Sequence, residues 1–292
     1  MFDYPLTYNE IFLFLESKCT EADLKDAINY LIGCKLVFKL GNFYSLKNDH
    51  YVTIRRNKGN QKAATLLHKA KYVGQLLIKF PYVRGIGISG SLSKNFADDQ
   101  SDIDLFIITK KNRVWIARTI MHCFKKLTFL VNKQHYYCMN YYVDEEQLEI
   151  VEKNIYTAIE VATIIPLEGD FAFKDFYLAN SWTIDYLPNK VMRVSSAKPL
   201  KKQVLKVVVE ALFNNKIGNW IEGLLMKVTA DRWNKKTLMK KLNSRGTIMG
   251  MAASKHFAKP DPKNFQMKLI ERYQHKLLPL LDQTFFLNEI TK

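Results

Sequence analysis

The stretch that most constrains this chain runs from Val83 to Thr109, VRGIGISGSLSKNFADDQSDIDLFIIT. Two short β-branched runs, Val83 to Ile88 and Leu105 to Ile108, are bounded by Gly, Ser and Asp and read as two buried strands. Between them lie the turn Ser89-Gly90-Ser91 and a polar loop. Asp102 and Asp104 stand at the entry to the second run. In a strand, residues i and i+2 project from one face, so the two carboxylates are expected to point the same way. Carboxylates this close repel unless a cation neutralises them. Paired hard oxygen ligands suit Mg²⁺, which binds through one or two carboxylates plus substrate phosphates. The glycine turn offers free backbone N–H groups and the Ser91 hydroxyl, the donors a polyphosphate needs. Ser93 and Lys94 in the following loop can hydrogen-bond or neutralise phosphate oxygens. The combination reads as phosphoryl transfer, with Asp98 and Asp99 serving the turn rather than the metal.

Gly90-Ser91, ten intervening residues and then Asp102-Ile103-Asp104 resemble the signature of the nucleotidyltransferase superfamily typified by DNA polymerase beta and kanamycin nucleotidyltransferase. Ser89, where that pattern has a hydrophobic residue, is the loose fit. The resemblance implies a domain of about 100 to 130 residues around the strand–loop–strand unit. It implies an NTP substrate, two Mg²⁺ ions held by Asp102 and Asp104, and outer phosphates anchored at Gly90 and Ser91. It also implies a third carboxylate on a later strand. That strand is expected at residues 135–143, HYYCMNYYV, where the mid-strand polar residue is Asn140. Asp144 takes the third role, or the site works with two carboxylates, or catalysis has been lost. The reading favoured is retained activity, with Asp144 as the catalytic candidate. The alternative is a catalytically degenerate nucleotidyltransferase fold acting as a nucleic-acid-binding or regulatory module.

Around this unit the chain divides into three. Residues 1–52 contain two amphipathic helices, the second opened by a Thr20-to-Asp23 capping box, and a strand–turn–strand segment about Gly41-Asn42. The order resembles a small winged-helix domain, with too few basic residues on the second helix for an operator reader, so an interaction module is expected. Residues 53–189 form the nucleotidyltransferase core. It begins with a long helix over 54–80, in which His68 is a surface residue. It continues through a helix over 110–129 and another over 154–165, where Glu160 is either a buried paired carboxylate or a group supporting the site. It ends in an aromatic-rich connecting segment over 166–190, a hydrophobic clasp or a base-stacking wall. Residues 190–292 read as a basic helical domain, with a polar loop at Ser244-Arg245-Gly246-Thr247 and a Pro-punctuated basic loop over 255–264. The fold class expected is α+β, a small mixed-sheet core flanked by these two modules.

Charge and composition narrow the function classes. The chain carries 44 Lys+Arg against 28 Asp+Glu, a net +16, and residues 190–292 alone hold 21 basic against 7 acidic residues. Such asymmetry favours a polyanionic partner, with RNA or tRNA first as the acceptor; a small molecule or a protein hydroxyl stays open. At 48% hydrophobic and 13% aromatic residues the chain can bury a sizeable core, which excludes wholesale disorder. No apolar run is long enough to span a bilayer, and the first residues show no secretory pattern. Cys19, Cys34, Cys123 and Cys138 form no CxxC pair and are expected as reduced, mostly buried thiols of a cytoplasmic protein.

Overall fold

The structure, a computed structural model, describes residues 4–190, 196–201, 203–239, 249–261 and 264–290, with side chains through residue 278. The expected loop at Ser244–Thr247 lies outside the described residues. The first unit runs β1 (Leu6–Thr7), α1 (Tyr8–Phe14), α2 (Glu21–Gly33), β2 (Phe38–Leu40) and β3 (Phe43–Ser45). Both helices open on threonine capping boxes, Thr7 with Glu10 and Thr20 with Asp23, which satisfy amides that a helix start leaves bare. The three strands form a small antiparallel sheet ordered β1-β3-β2, so the hairpin gains a strand that the sequence did not announce. Arg56, buried in the next helix, pairs with Glu10 and lies over the Tyr4 ring, tying this unit to the core.

The long helix α3 (Tyr51–Leu77) leads into β4 (Val83–Ile88), β5 (Asp104–Thr109), α4 (Val114–Thr128), β6 (Cys138–Asp144), α5 (Ile155–Thr163) and β7 (Ile165–Glu168). Then come α6 (Asp170–Ala179), α7 (Thr183–Tyr186), α8 (Val204–Leu212), α9 (Lys216–Leu238), β8 (Ala252–Ala253), β9 (Phe257–Lys259) and α10 (Phe265–Ile290). Six strands make one mixed sheet in the order β7-β4-β5-β6-β9-β8, parallel only where β5 meets β6 across the α4 crossover.

Both faces of this sheet are covered, which explains why β4 and β5 read as unbroken apolar runs. Leu105 and Ile107 turn to the layer of α3 and α4, with Ala70, Leu77, Trp115 and Met121. Phe106 and Ile108 turn to the layer of α5 and α6, with Val161, Ile164, Phe173 and Phe176. Asp104 shares its parity with Phe106, so the pleat aims it at the α5 side.

Three expectations are corrected. Residues 166–190 are no connecting clasp: they supply edge strand β7, α6 and α7, and Phe173 and Phe176 are fully buried core. Pro166 disguises β7, yet an edge strand tolerates a residue that cannot donate to the ladder. The Pro-punctuated basic loop contains β9, which pairs with β6 through Tyr142↔Ala258, so the sheet draws its last two strands from beyond residue 190. The cysteines are free thiols as expected, but none is buried: Cys34 and Cys123 are exposed, Cys19 and Cys138 intermediate.

Polar side chains of the last third lock it to the core. Glu210 of α8 accepts from the Tyr82 amide and pairs with Arg84. Lys206, also on α8 and buried, donates to the Ile78 and Val83 carbonyls, and burial lowers its pKa to about 8. Glu222 of α9 accepts from the first amides of α4, Trp115 N at 2.7 Å and Ile116 N at 2.9 Å. Burial nevertheless raises its carboxyl to about 7. No helix among the described residues is long and apolar enough to cross a membrane.

Candidate active site

The turn after β4 is built for close approach. Gly90 takes φ +67°, a left-handed conformation that suits glycine. A Cβ there would stand 2.3 Å from Asp104 Oδ2, so the turn and the carboxylate lie in contact and only glycine fits. Ser91 then starts a single 3-10 turn over Leu92–Lys94, closed by Asn95 at φ 56°. The loop is held to α3 by the Ala97 amide on Gly59 O at 3.2 Å, and Phe96 packs where a Gly59 side chain would be. Asp98 accepts from Ser101 Oγ and Gln100 N, and Asp99 pairs with Lys62, so both serve the loop as expected.

Asp102 and Asp104 line one cavity of about 690 Å³ together with Ser89, Gly90, Ser91 and Lys94. The backbone around them is pinned to β6 and the turn before it by Ile103 N on His135 O (3.0 Å) and Cys138 N on Ile103 O (3.3 Å). Asn140 lies in the same cavity. The β5–β6 register jumps there, with Leu105 opposite Met139 and Phe106 opposite Tyr141, so Asn140 is the extra residue of a bulge. The bulge swings its amide toward β5, and Nδ2 donates to Asp104 Oδ1 at 2.6 Å. Its Oδ1 accepts from Cys138 Sγ at 3.2 Å. The third-strand position is therefore occupied by a neutral donor to Asp104.

Asp144 does not belong to this site. It pairs in register with Thr109 while Asp104 pairs with Cys138, which sets the two acids at opposite ends of the parallel pair. About five strand residues separate them, roughly 17 Å at about 3.3 Å each. Asp144 is fully buried and accepts from Asn112 N (2.8 Å), Glu146 N (3.1 Å) and Gln147 N (3.2 Å), with His256 Nδ1 3.1 Å away. Its ligand atom clusters with those of Glu146 and His256, but its lone pairs already serve the backbone. It anchors β9 to β6 instead.

Two other site residues are committed elsewhere. Ser93 Oγ donates to Gly90 O at 2.8 Å. Lys94 folds back on its own turn, reaching Gly90 O at 3.0 Å and Glu160 Oε1 at 2.7 Å. Glu160 of α5 is the acid that the sequence left undecided, and the structure brings it into the cavity with Asp102 and Asp104. The available signal was a lone carboxylate on an otherwise apolar helix. Tyr156, one turn earlier on α5, also lines the cavity. Burial, and after it the negative charge of Glu160, Asp261 and Asp104, holds its phenol well above the usual range. The deep wall is apolar, with Phe106 stacked on Tyr141 at 5.7 Å beside Ile150, Val161 and Ile164. Phe265, Leu269 and Arg272 of α10 also line the cavity. Nothing in the sequence marked α10 for this role.

The oxygen set of Asp102 and Asp104 beside a glycine turn fits a hard divalent cation carrying a polyphosphate. In agreement with that chemistry, the family model of the nucleotidyltransferase domain matches residues 70–173, from the middle of α3 to α6. No curated protein and no solved structure matches the chain.

Proposed function

We propose that this chain, which carries a nucleotidyltransferase domain at residues 70–173, is a magnesium-dependent enzyme that moves NMP from an NTP to an acceptor hydroxyl. The observation that carries the reading is the contact of Gly90 with Asp104 inside a cavity that also holds Asp102. Asp102 and Asp104 would hold Mg²⁺, which supplies charge neutralisation at the entering and leaving oxygens. Gly90 N–H and Ser91 would take the outer phosphates, fixing the α-phosphate beside the two acids. The acceptor oxygen forms its bond to the α-phosphorus as the bond to the β-bridging oxygen breaks. Pyrophosphate leaves, and the hydroxyl proton passes to solvent. Catalysis of this kind is mostly positioning, which the rigid β4–β5 turn provides.

The charge of residues 190–292 favours a polyanionic acceptor such as RNA, its terminal hydroxyl entering the cavity. A second reading, a small-molecule acceptor, draws on the cavity itself. Of the described basic side chains beyond residue 190, only Lys259 and Arg272 line it, beside Phe265 and Leu269 of α10. A third reading, a non-catalytic nucleotide-dependent module, draws on the neutral Asn140 amide beside Asp104. Residues 1–52 serve in each case as an interaction module.

Incubating the protein with each α-labelled NTP and cellular RNA, protein and small-molecule fractions separates the three. Label on RNA or on a small compound, lost in Asp102→Asn and Asp104→Asn, identifies an enzyme and its acceptor. Nucleotide binding without label transfer or pyrophosphate release leaves the non-catalytic module.

A further inference from the structure

Glu160 already occupies the donors that the proposed nucleotide needs. Its Oε2 accepts the Gly90 amide at 3.2 Å, and its Oε1 accepts Lys94 Nζ at 2.7 Å. Lys94 is nearly buried at 6% side-chain exposure and Glu160 keeps 20%, so the pair lies inside the cavity wall rather than on open surface. Ser93 Oγ and Lys94 Nζ both hold the Gly90 carbonyl, which fixes the turn whose amide faces Glu160. Ser93 Oγ also lies 3.3 Å from Thr163 Oγ1, so the turn is tied to α5 at a second point. A carboxylate on a glycine-turn amide and a lysine ammonium has the chemistry of a phosphate oxygen in the same place. The Gly90 amide has one hydrogen, which cannot serve the carboxylate and a phosphate oxygen at once, and a phosphate drawn to Lys94 would meet the Glu160 charge beside it.

We propose that Glu160 is a resident stand-in for a nucleotide phosphate. It keeps Gly90 N–H and Lys94 in an anion-receiving arrangement, and an incoming triphosphate displaces it. The proposal rests on the nucleotide reading above and adds to it a residue that competes with the substrate. It differs from a plain structural ion pair in sign. Removing a support loosens the turn and weakens binding, whereas removing a competitor strengthens it.

The test uses the full chain with Mg²⁺ and titration calorimetry against each NTP and against inorganic tripolyphosphate, which carries phosphates and no base. Glu160→Gln and Glu160→Ala are expected to bind NTP and tripolyphosphate about tenfold more tightly than the parent, the scale of one charge-assisted hydrogen bond. Lys94→Met is expected to weaken both. Thermal melts establish that each variant is folded. Should both neutral variants fail to fold, Glu160→Asp decides, since its shorter side chain keeps the charge but not the reach to both donors, and a gain is again expected. Unchanged or weaker binding in the folded variants, with NTP binding intact in the parent, overturns this proposal alone. A parent that binds neither NTP nor tripolyphosphate overturns the nucleotide reading and this proposal with it.

Discussion

Asn140 donates to Asp104 across the bulged parallel pair of β5 and β6, with Nδ2 to Oδ1 at 2.6 Å. The amide gives Asp104 Oδ1 a neutral donor on the β6 side, where the third carboxylate was expected, while Oδ2 faces the Gly90 turn. Asn140→Asp replaces that donor by a carboxylate at hydrogen-bond distance from another. Both cannot be charged there unless a cation joins them. We expect the variant to melt about 5 °C lower without divalent ions, and Mg²⁺ to recover most of the loss. A melting temperature indifferent to Mg²⁺ would argue against a metal on Asp104.

Gly90→Ala tests the contact on the other side of Asp104. The added methyl would stand 2.3 Å from Oδ2 on a residue at φ +67°. The backbone strain costs about 1–2 kcal/mol, and the carboxylate must move by about 1 Å. A shift of that size in a positioned group lowers rate about a hundredfold. Pyrophosphate release is therefore expected to fall by that factor, while urea unfolding shows a loss of about 1–2 kcal/mol that leaves the protein folded. A variant with parental release would place the reacting phosphates elsewhere.

Glu222 gives a pH signature to stability rather than to chemistry. Its carboxyl ionises near the ordinary value of 4.5 in the unfolded chain and is raised to about 7 in the fold by burial. The protonated form is favoured by folding, so the stabilisation is complete below 4.5 and is lost as pH rises toward 7. At about 1.36 kcal/mol per unit the span is at most about 3 kcal/mol. Melting temperature should decline between about pH 5 and 7.5 in the parent and flatten over that range in Glu222→Gln. Parallel curves would show that another group sets the slope.

Lys206 offers a test of how the last third is held. From α8 its ammonium donates to the Ile78 and Val83 carbonyls. Lys206→Met keeps the stem and withdraws that donor from both, leaving Val83 O the longer bond from Arg84 Nη1 at 3.3 Å. A buried acceptor that loses its partner costs about 1–3 kcal/mol. The relief of burying an ammonium, whose pKa is already lowered to about 8, offsets part of this. A net loss of about 2 kcal/mol in urea unfolding is expected. No loss would mean that the Lys206 ammonium adds nothing to the anchoring that Glu210 already gives through Tyr82 and Arg84.

The central unit was legible because both sheet faces are covered. Leu105 and Ile107 on one side and Phe106 and Ile108 on the other make an apolar run that announces itself. Gly90, Ser91, Asp102 and Asp104 then emerge from local spacing. What stayed hidden depends on pairing. Asp144 looked like a third carboxylate because it is near Asn140 in sequence, but the parallel register of β5 and β6 sends it to the far end of the strand. Strand β7 hid behind Pro166, and β8 and β9 are too short to carry a period. Glu160 needed the path of α5 over the glycine turn, which no local pattern encodes.

Strand β9 and helix α10 also set an order of events during synthesis. The signature from Gly90 to Asp104 leaves the ribosome early, yet β6 gains its outer neighbour only when Phe257–Lys259 has emerged. The chamber gains Phe265, Leu269 and Arg272 later still. A nascent or truncated chain ending before Gly250 thus holds the acids and the glycine turn with the outer β6 edge unpaired and without the α10 part of the cavity lining. Such an edge invites association with other chains. The arrival of one short strand late in the chain therefore decides when the exposed edge of β6 is covered.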